Sequence, residues 1–331
     1  MSLNNSDFDK IMHILGDRRR MAEDEFFAEK DRLEAEDPDL AAVSAAIRTN
    51  AIHRAKAKVF NDVSALQTLD AEHSALIAKQ SLLLTKMGVT EEQREPRYTC
   101  PLCGDKGLVN GQKCTCFLEL ERQLLREKSH LPQSALSHTF ENLSTDFYDR
   151  VGKDGKKSEY EIMTEKIAIC RSFAESFDTS RKSLLLYGPT GVGKSFLSDC
   201  IANFLLASGH SVVYYSSVTL FEELSTLLSK RVGEDNSLFN EELLESDLLV
   251  IDDLGTEFVN SYTIGKFFQI INERGNRGKS TIISSNLDFK TLKERYSERI
   301  ASRIIADFEP VYIQIGDLRV RQKLQNINAN N

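Results

Sequence analysis

The sequence predicts an α/β fold, a mostly parallel sheet covered by helices, preceded by an all-helical segment and a small cysteine knuckle. Three observations carry this. From about residue 137, five short apolar runs (SLLLYG, SVVYYSS, DLLVIDD, STIISSN and PVYIQIG) alternate with helical patterns, the arrangement of a parallel sheet buried on both faces. Residues 1–90 carry helical patterns and no strand signal. Between the two, four of the six cysteines crowd into residues 100–116. The expected organisation is a helical domain over 1–90, a linker, knuckle and connecting helix over 91–136, and the α/β domain over 137–331.

At 331 residues and 41% hydrophobic, the chain can bury a core in more than one domain, which excludes wholesale disorder. No run approaches the roughly 18 apolar residues of a membrane span. The opening MSLNNSDFDK has neither the basic region nor the apolar core of an export signal, so a cytoplasmic protein without membrane contact is expected. A net charge of −8 argues against coating duplex DNA by bulk electrostatics, while leaving room for a local basic groove.

In the helical part, Asp37 followed by Pro38 reads as a cap and first helical position, and DLAAVSAAIRTNAIHRAKAKVF runs on from it. SALIAKQSLLLTKMG closes on Gly88, a C-terminal cap. Helices with scattered exposed leucines and no catalytic constellation suggest a partner-binding module, with a purely structural appendage as the alternative. EEQREPR (91–97) is a charged, proline-containing break and reads as a linker.

Cys100-x-x-Cys103 and Cys114-x-Cys116 form two chelating turns on either side of a glycine-rich loop that can fold back as a hairpin. Four thiolates at this spacing can surround one tetrahedral Zn²⁺, and with no position left open the site would be structural. An iron–sulfur cluster and unliganded cysteines are the alternatives. Cys170 and Cys200, alone in apolar helical patterns, read as small core residues.

The strongest signal is Gly188-Pro189-Thr190-Gly191-Val192-Gly193-Lys194-Ser195, which matches G-x-x-x-x-G-K-[ST] between an apolar strand and a helix ending at Gly209. The glycines let backbone N–H groups turn toward the phosphates of ATP, and the helix N-terminus adds partial positive charge. Lys194 would reach the β- and γ-phosphates, and Ser195 would ligate Mg²⁺. DLLVIDDLG then places two carboxylates at the C-terminal end of a buried strand. Asp252 fits the metal-linked carboxylate and Asp253 the one that polarises attacking water. Asn286, at the tip of STIISSN, could orient water beside the γ-phosphate; taken alone it reads as a turn residue.

GPTGVGKS, LLVIDDLG, TIISSN, SERIASRI and GDLR, in this order and spacing, resemble the AAA+ ATPase module of the DnaC/DnaI-type replicative helicase loaders and the related IstB transposition helper ATPases. HTFENLSTDFY (138–148) is similar to the segment with which that family opens its ATPase domain. The resemblance covers residues 137–322 well, the cysteine segment fairly, and the first 90 residues only in helical character. It implies an AAA+ P-loop ATPase that loads the ring-shaped, hexameric replicative DNA helicase onto single-stranded DNA during replication, self-associates through its ATPase domain, and hydrolyses ATP across a subunit boundary; the alternatives are an IstB-like transposition helper and a zinc-bearing adaptor in which the nucleotide is only structural. By the same resemblance Arg303 matches the arginine that reaches a neighbour's γ-phosphate, with Arg299 the alternative, and Arg319 matches the one that reads nucleotide in cis. The knuckle would fix the helical domain to the ATPase domain. Ser217, Thr219, Phe221, Lys230 and Arg231 would line a groove for single-stranded DNA, although Phe221 reads equally well as a core residue. Many AAA+ proteins carry Asp-Glu where this chain has Asp252-Asp253, so the resemblance suits a slow switch better than a fast motor.

Overall fold

Helix signals in the first 90 residues become three long helices in the computed structural model, which describes residues 5–152, 156–180, 182–229 and 242–318. They are α1 (Asn5–Glu36), α2 (Pro38–Val59) and α3 (Val63–Lys86). Asp37 caps α2 as expected, its side chain accepting from the Asp39 and Leu40 N–H groups with Pro38 in the first turn. Gly88, at φ +79°, ends α3, and the Gly88 and Val89 N–H groups return to Thr85 and Leu84. Alanine-rich α2 offers little apolar area, so polar bonds tie it to α3. Asn50 donates to the Leu69 carbonyl and to Glu72, Gln80 donates to Ser44, and Arg54 pairs with Asp70 at 2.6 Å.

The 91–97 stretch, read as a linker, carries local structure. It holds a 3₁₀ turn, Glu91–Arg94, whose Arg94 donates to the Ser81 and Thr85 hydroxyls on α3. Beyond it, β1 (Leu108–Val109) and β2 (Gln112–Lys113) form a hairpin. Its turn is Asn110-Gly111, both at positive φ (+51° and +78°), the chemistry a two-residue hairpin requires. Helix α4 (Thr115–Lys128) follows.

The chain divides into two compact units, one over residues 5–118 and one whose main body is 119–331. In the second, α5 (Glu159–Glu175) opens on a capping box of Ser158 and Glu161, and a single turn, α6 (Phe177–Ser180), leads into the sheet. The first four apolar runs form β3 (Ser183–Tyr187), β4 (Val212–Ser216), β5 (Leu248–Leu254) and β6 (Ser280–Ser285), whereas the fifth strand, β7 (Phe308–Tyr312), begins two residues before PVYIQIG and ends at its third residue. They lie in the order β4-β5-β6-β3-β7, every pairing parallel. Between them run α7 (Lys194–Ala207), α8 (Ser217–Ser229), α9 (Ser261–Asn276), α10 (Phe289–Tyr296) and α11 (Glu298–Asp307).

Alternate strand residues point to opposite faces, and each face has its own core. Leu184, Leu186, Val250 and Ile282 pack with α5 and α7, where Cys170 and Cys200 are fully buried as expected. Burial pushes both of these thiols up to about 12. Leu185, Leu249, Ile251 and Ile283 pack with α8 to α11. Arg274 on α9 is fully buried and donates to Thr281 Oγ1, Leu243 O, Ser246 Oγ and Ser280 O, joining three stretches of chain. Among the described residues no helix is long and apolar enough to cross a membrane.

Candidate nucleotide site and metal centre

The phosphate loop leaves the C-terminal end of β3, and its glycines are required by geometry. Gly191 (φ +82°) and Gly193 (φ +93°) hold left-handed conformations, and a Cβ on Gly188 would come within 2.1 Å of the Ile313 carbonyl. Gly193 caps α7, so the loop turns directly into a helix N-terminus. Lys194 is 7% exposed, and its Nζ donates to the Gly188 and Pro189 carbonyls at 2.8 Å each. Val192 is fully buried and anchors the loop from below.

Asp252 and Asp253 stand at the end of β5, where a register shift between Ile251 and Leu254 marks a bulge in the pairing with β6. Asp253 takes φ +57°, uncommon for a side-chain-bearing residue. Ser284 of β6 fixes both aspartates: its hydroxyl donates to Asp252 Oδ1 at 2.5 Å and accepts the Asp253 N–H at 2.8 Å. A cleft of about 600 Å³ is lined by Thr190, Gly191, Gly193, Lys194, Ser195, Asp252 and Asp253 together with Tyr148, Met163 and Leu318. Its volume suits a nucleotide. Anion-binding N–H groups, a lysine, a hydroxyl and a carboxylate in one cleft fit a nucleoside triphosphate with Mg²⁺ held by Ser195 and Asp252.

Asn286 is exposed at the tip of β6, with its Oδ1 close to Gly255 rather than in the wall of the cleft. Arg303 on α11 is ion-paired to Asp307 at 2.8 Å and donates to Asn276 at 3.1 Å. Arg299, on the same helix, is exposed and has no hydrogen-bond or ion-pair partner among the described residues. Neither arginine lines its own chain's cleft. Arg319, Lys230 and Arg231 lie outside the described residues. Asp317 and Leu318, just before Arg319, sit on the loop itself: Leu318 N–H donates to the Gly191 carbonyl at 3.0 Å.

Part of the expected DNA groove is corrected. Phe221 is 1% exposed, its ring packed on Phe267 and Tyr296 in the core, so it cannot stack on a base. Ser217 is likewise buried and bonded to the Asp253 carbonyl, whereas Thr219 is exposed. The structure adds residues that the motifs did not reveal. His138 Nδ1 meets Asp199 Oδ2 at 2.7 Å and its ring lies 4.3 Å from that of Phe196, all three at the cleft. Burial holds Asp199 above the ordinary carboxylate range despite His138. Burial, Asp252 and Asp199 push the Tyr214 hydroxyl far up, keeping it a proton donor beside both carboxylates. Asp199 lies one helical turn beyond Ser195, a spacing that could have drawn attention to it.

In the other unit, the sulfurs of Cys100, Cys103, Cys114 and Cys116 all lie within 4.8 Å of one another, with Cys100–Cys114 at 3.7 Å and Cys103–Cys116 at 3.4 Å. Four ligands about 2.3 Å from one tetrahedral zinc would stand about 3.8 Å apart, so the cage fits a single ion. Asp105, 1% exposed, is a brace rather than a ligand, accepting the Thr99 and Cys100 N–H groups. The Cys116 N–H donated to its sulfur holds Cys114 down at about 7, while burial pushes Cys103 and Cys116 up. Helix α1 closes over the knuckle through Leu15, within 2.7 Å of where a Cβ on Gly107 would lie.

A profile of the family described as IstB-like ATP binding protein matches residues 158–326. A protein named replicative helicase loader DnaC from Buchnera aphidicola subsp. Acyrthosiphon pisum (strain APS) is 27% identical over 186 residues, 56% of this chain and 72% of that protein. The protein of the same name from Escherichia coli (strain K12) is 24% identical over 187 residues, 56% of this chain and 73% of its own length. A crystal structure of the DnaC helicase loader aligns at 23% identity and a TM-score of 0.46, covering 55% of this chain and all of that one. With the phosphate loop, the paired aspartates and the parallel sheet all inside or beside the matched span, the chain belongs to the family of IstB-like ATP-binding proteins.

Proposed function

We propose that this protein is an ATP-switched loader that places the hexameric replicative DNA helicase on single-stranded DNA during replication. The observation that carries the reading is the convergence of phosphate loop, Ser195 and paired aspartates in one cleft, in a chain whose relatives are named replicative helicase loaders. Gly188 to Ser195 would cradle the phosphates and Lys194 offset their charge. Bound Mg²⁺ would supply charge neutralisation between the phosphates, with Ser195 and Asp252 as its protein ligands. Asp253 would polarise the attacking water and Asn286 orient it; Arg319 would read the nucleotide in cis.

Arg303 and Arg299 stand outside their own cleft on α11, which suits a role in a neighbour's site and makes self-association part of catalysis. The first unit would hold one structural zinc on Cys100, Cys103, Cys114 and Cys116. It would bind the helicase through apolar residues that have no core to join, such as Met21 (62% exposed), Ile52 (57%) and Leu82 (57%). The protein would act in the cytoplasm.

Arg303→Ala is expected to bind ATP normally and to hydrolyse it on the order of a thousandfold more slowly. Mixed with Lys194→Ala chains, which have a dead site but sound arginines, it should regain part of its turnover. The same mixture made with Arg299→Ala identifies which arginine acts. If neither mixture recovers under conditions where subunits associate, hydrolysis is not shared. Retention of a replicative helicase, and not of a transposase, by the immobilised protein separates a loader from a transposition helper.

A further inference from the structure

Glu257 lies on the loop after β5 and is 2% exposed, a burial that a carboxylate tolerates only when its oxygens are partnered. Its two oxygens hold different parts of the domain. Oε2 accepts the Gly255 N–H at 2.9 Å. Oε1 accepts the Tyr296 hydroxyl and faces Arg295 Nε at 3.6 Å, and Arg295 donates as well to the Glu257 carbonyl. Burial raises the carboxyl's pKa, but hydrogen bonds from the Tyr296 hydroxyl, the Gly255 N–H, the Ser217 hydroxyl and its own backbone together bring it below the ordinary value.

What lies at each end makes this more than a core bond. Gly255 follows the Asp252-Asp253 bulge by two residues and is packed against the tip of β6, where an added Cβ would meet Leu287 at 2.8 Å and Asn286 Oδ1 at 3.1 Å. Tyr296 is the fully buried last residue of α10. The next residue, Ser297, holds φ +109° and ψ +157°, a region left almost entirely to glycine. That strained joint leads directly into α11, which carries Arg299 and Arg303.

We propose that Glu257 is a positioning residue that ties the aspartate-bearing tip of β5 to the arginine-bearing α11, so that nucleotide bound at the first sets the placement of the second. A packed interior transmits a displacement rather than absorbing it, and the Ser297 joint is where α11 can change angle. The proposal rests on the ATP-dependent reading above.

The test compares the full-length protein with Tyr296→Phe, which removes one oxygen, and with Glu257→Gln, whose NH₂ must face a donor whichever way the amide turns. Both should bind Mg-ATP within about twofold of the parent while turnover in the assembled state falls about tenfold, the scale of a misplaced catalytic group. ATP should alter amide hydrogen exchange over residues 289–307 in the parent and not in either variant. An ATP-dependent exchange change that survives in both variants, or is missing from the parent, overturns the coupling; so does weakened ATP binding, which would place Glu257 in the binding site. A parent that does not bind ATP in the titration fails the underlying reading instead.

Discussion

Replacing Lys194 by Ala is expected to remove tight ATP binding and leave the fold standing. The ammonium is almost fully buried at the first residue of α7 and bonds to two carbonyls of the loop it serves. In the proposed site it would face the phosphates, and charge-assisted bonds of this kind contribute about 1.5–3 kcal/mol each. Losing two of them corresponds to a fall in affinity on the order of 10² to 10⁴. Alanine is the best helix former, so α7 keeps its start, and Val192 with the three glycines keeps the loop's shape. A titration of Mg-ATP with far-ultraviolet circular dichroism as a fold control checks both halves. An unchanged dissociation constant would remove the phosphate-site assignment.

The second large effect is expected at the knuckle. Residues 98–117 contain few apolar side chains, and β1 and β2 are two residues each, both exposed. Such a segment needs a metal for order, and structural zinc sites of this kind contribute about 10–16 kcal/mol in isolated peptides. Freshly purified protein should carry about one zinc per chain, and Cys103→Ser should lose it. In the variant the 98–117 segment should become open to proteolysis, and with it the end of α1 that packs there through Leu15. Metal analysis that finds neither zinc nor iron in the parent would refute the site. Iron in place of zinc would assign a different ion to the same four sulfurs.

How much of this could be read in advance depended on distance along the chain. The phosphate loop is eight consecutive residues and the cysteines span seventeen, so spacing alone revealed both. The five strands were legible because apolar runs bounded by turn residues have few other uses. The two aspartates could be seen, but not the bulge that aims them, because a bulge is a mismatch between two strands and only β5 is visible in DLLVIDDLG. Pairs that meet across the fold were invisible: His138 with Asp199 is 61 residues apart, and Glu257 with Tyr296 is 39. Phe221 went the other way. Its neighbours in sequence suited a DNA surface and a core position equally, and helix α8 settles it by turning that side onto Phe267 and Tyr296.

Arg274 has a consequence for how this sequence can drift over generations. Its guanidinium meets four neutral oxygens from Leu243, Ser246, Ser280 and Thr281, spread around a flat fork. Burial lowers its pKa to about 9, with Asp247 and Glu245 pulling the other way. Lysine offers three donors on one tetrahedral nitrogen and cannot span those acceptors, while an aliphatic side chain would strand them in the core. A lysine or an aliphatic side chain at position 274 would therefore leave buried oxygens unpaired around residues 243–246 and 280–281, which narrows what those segments can accept in turn.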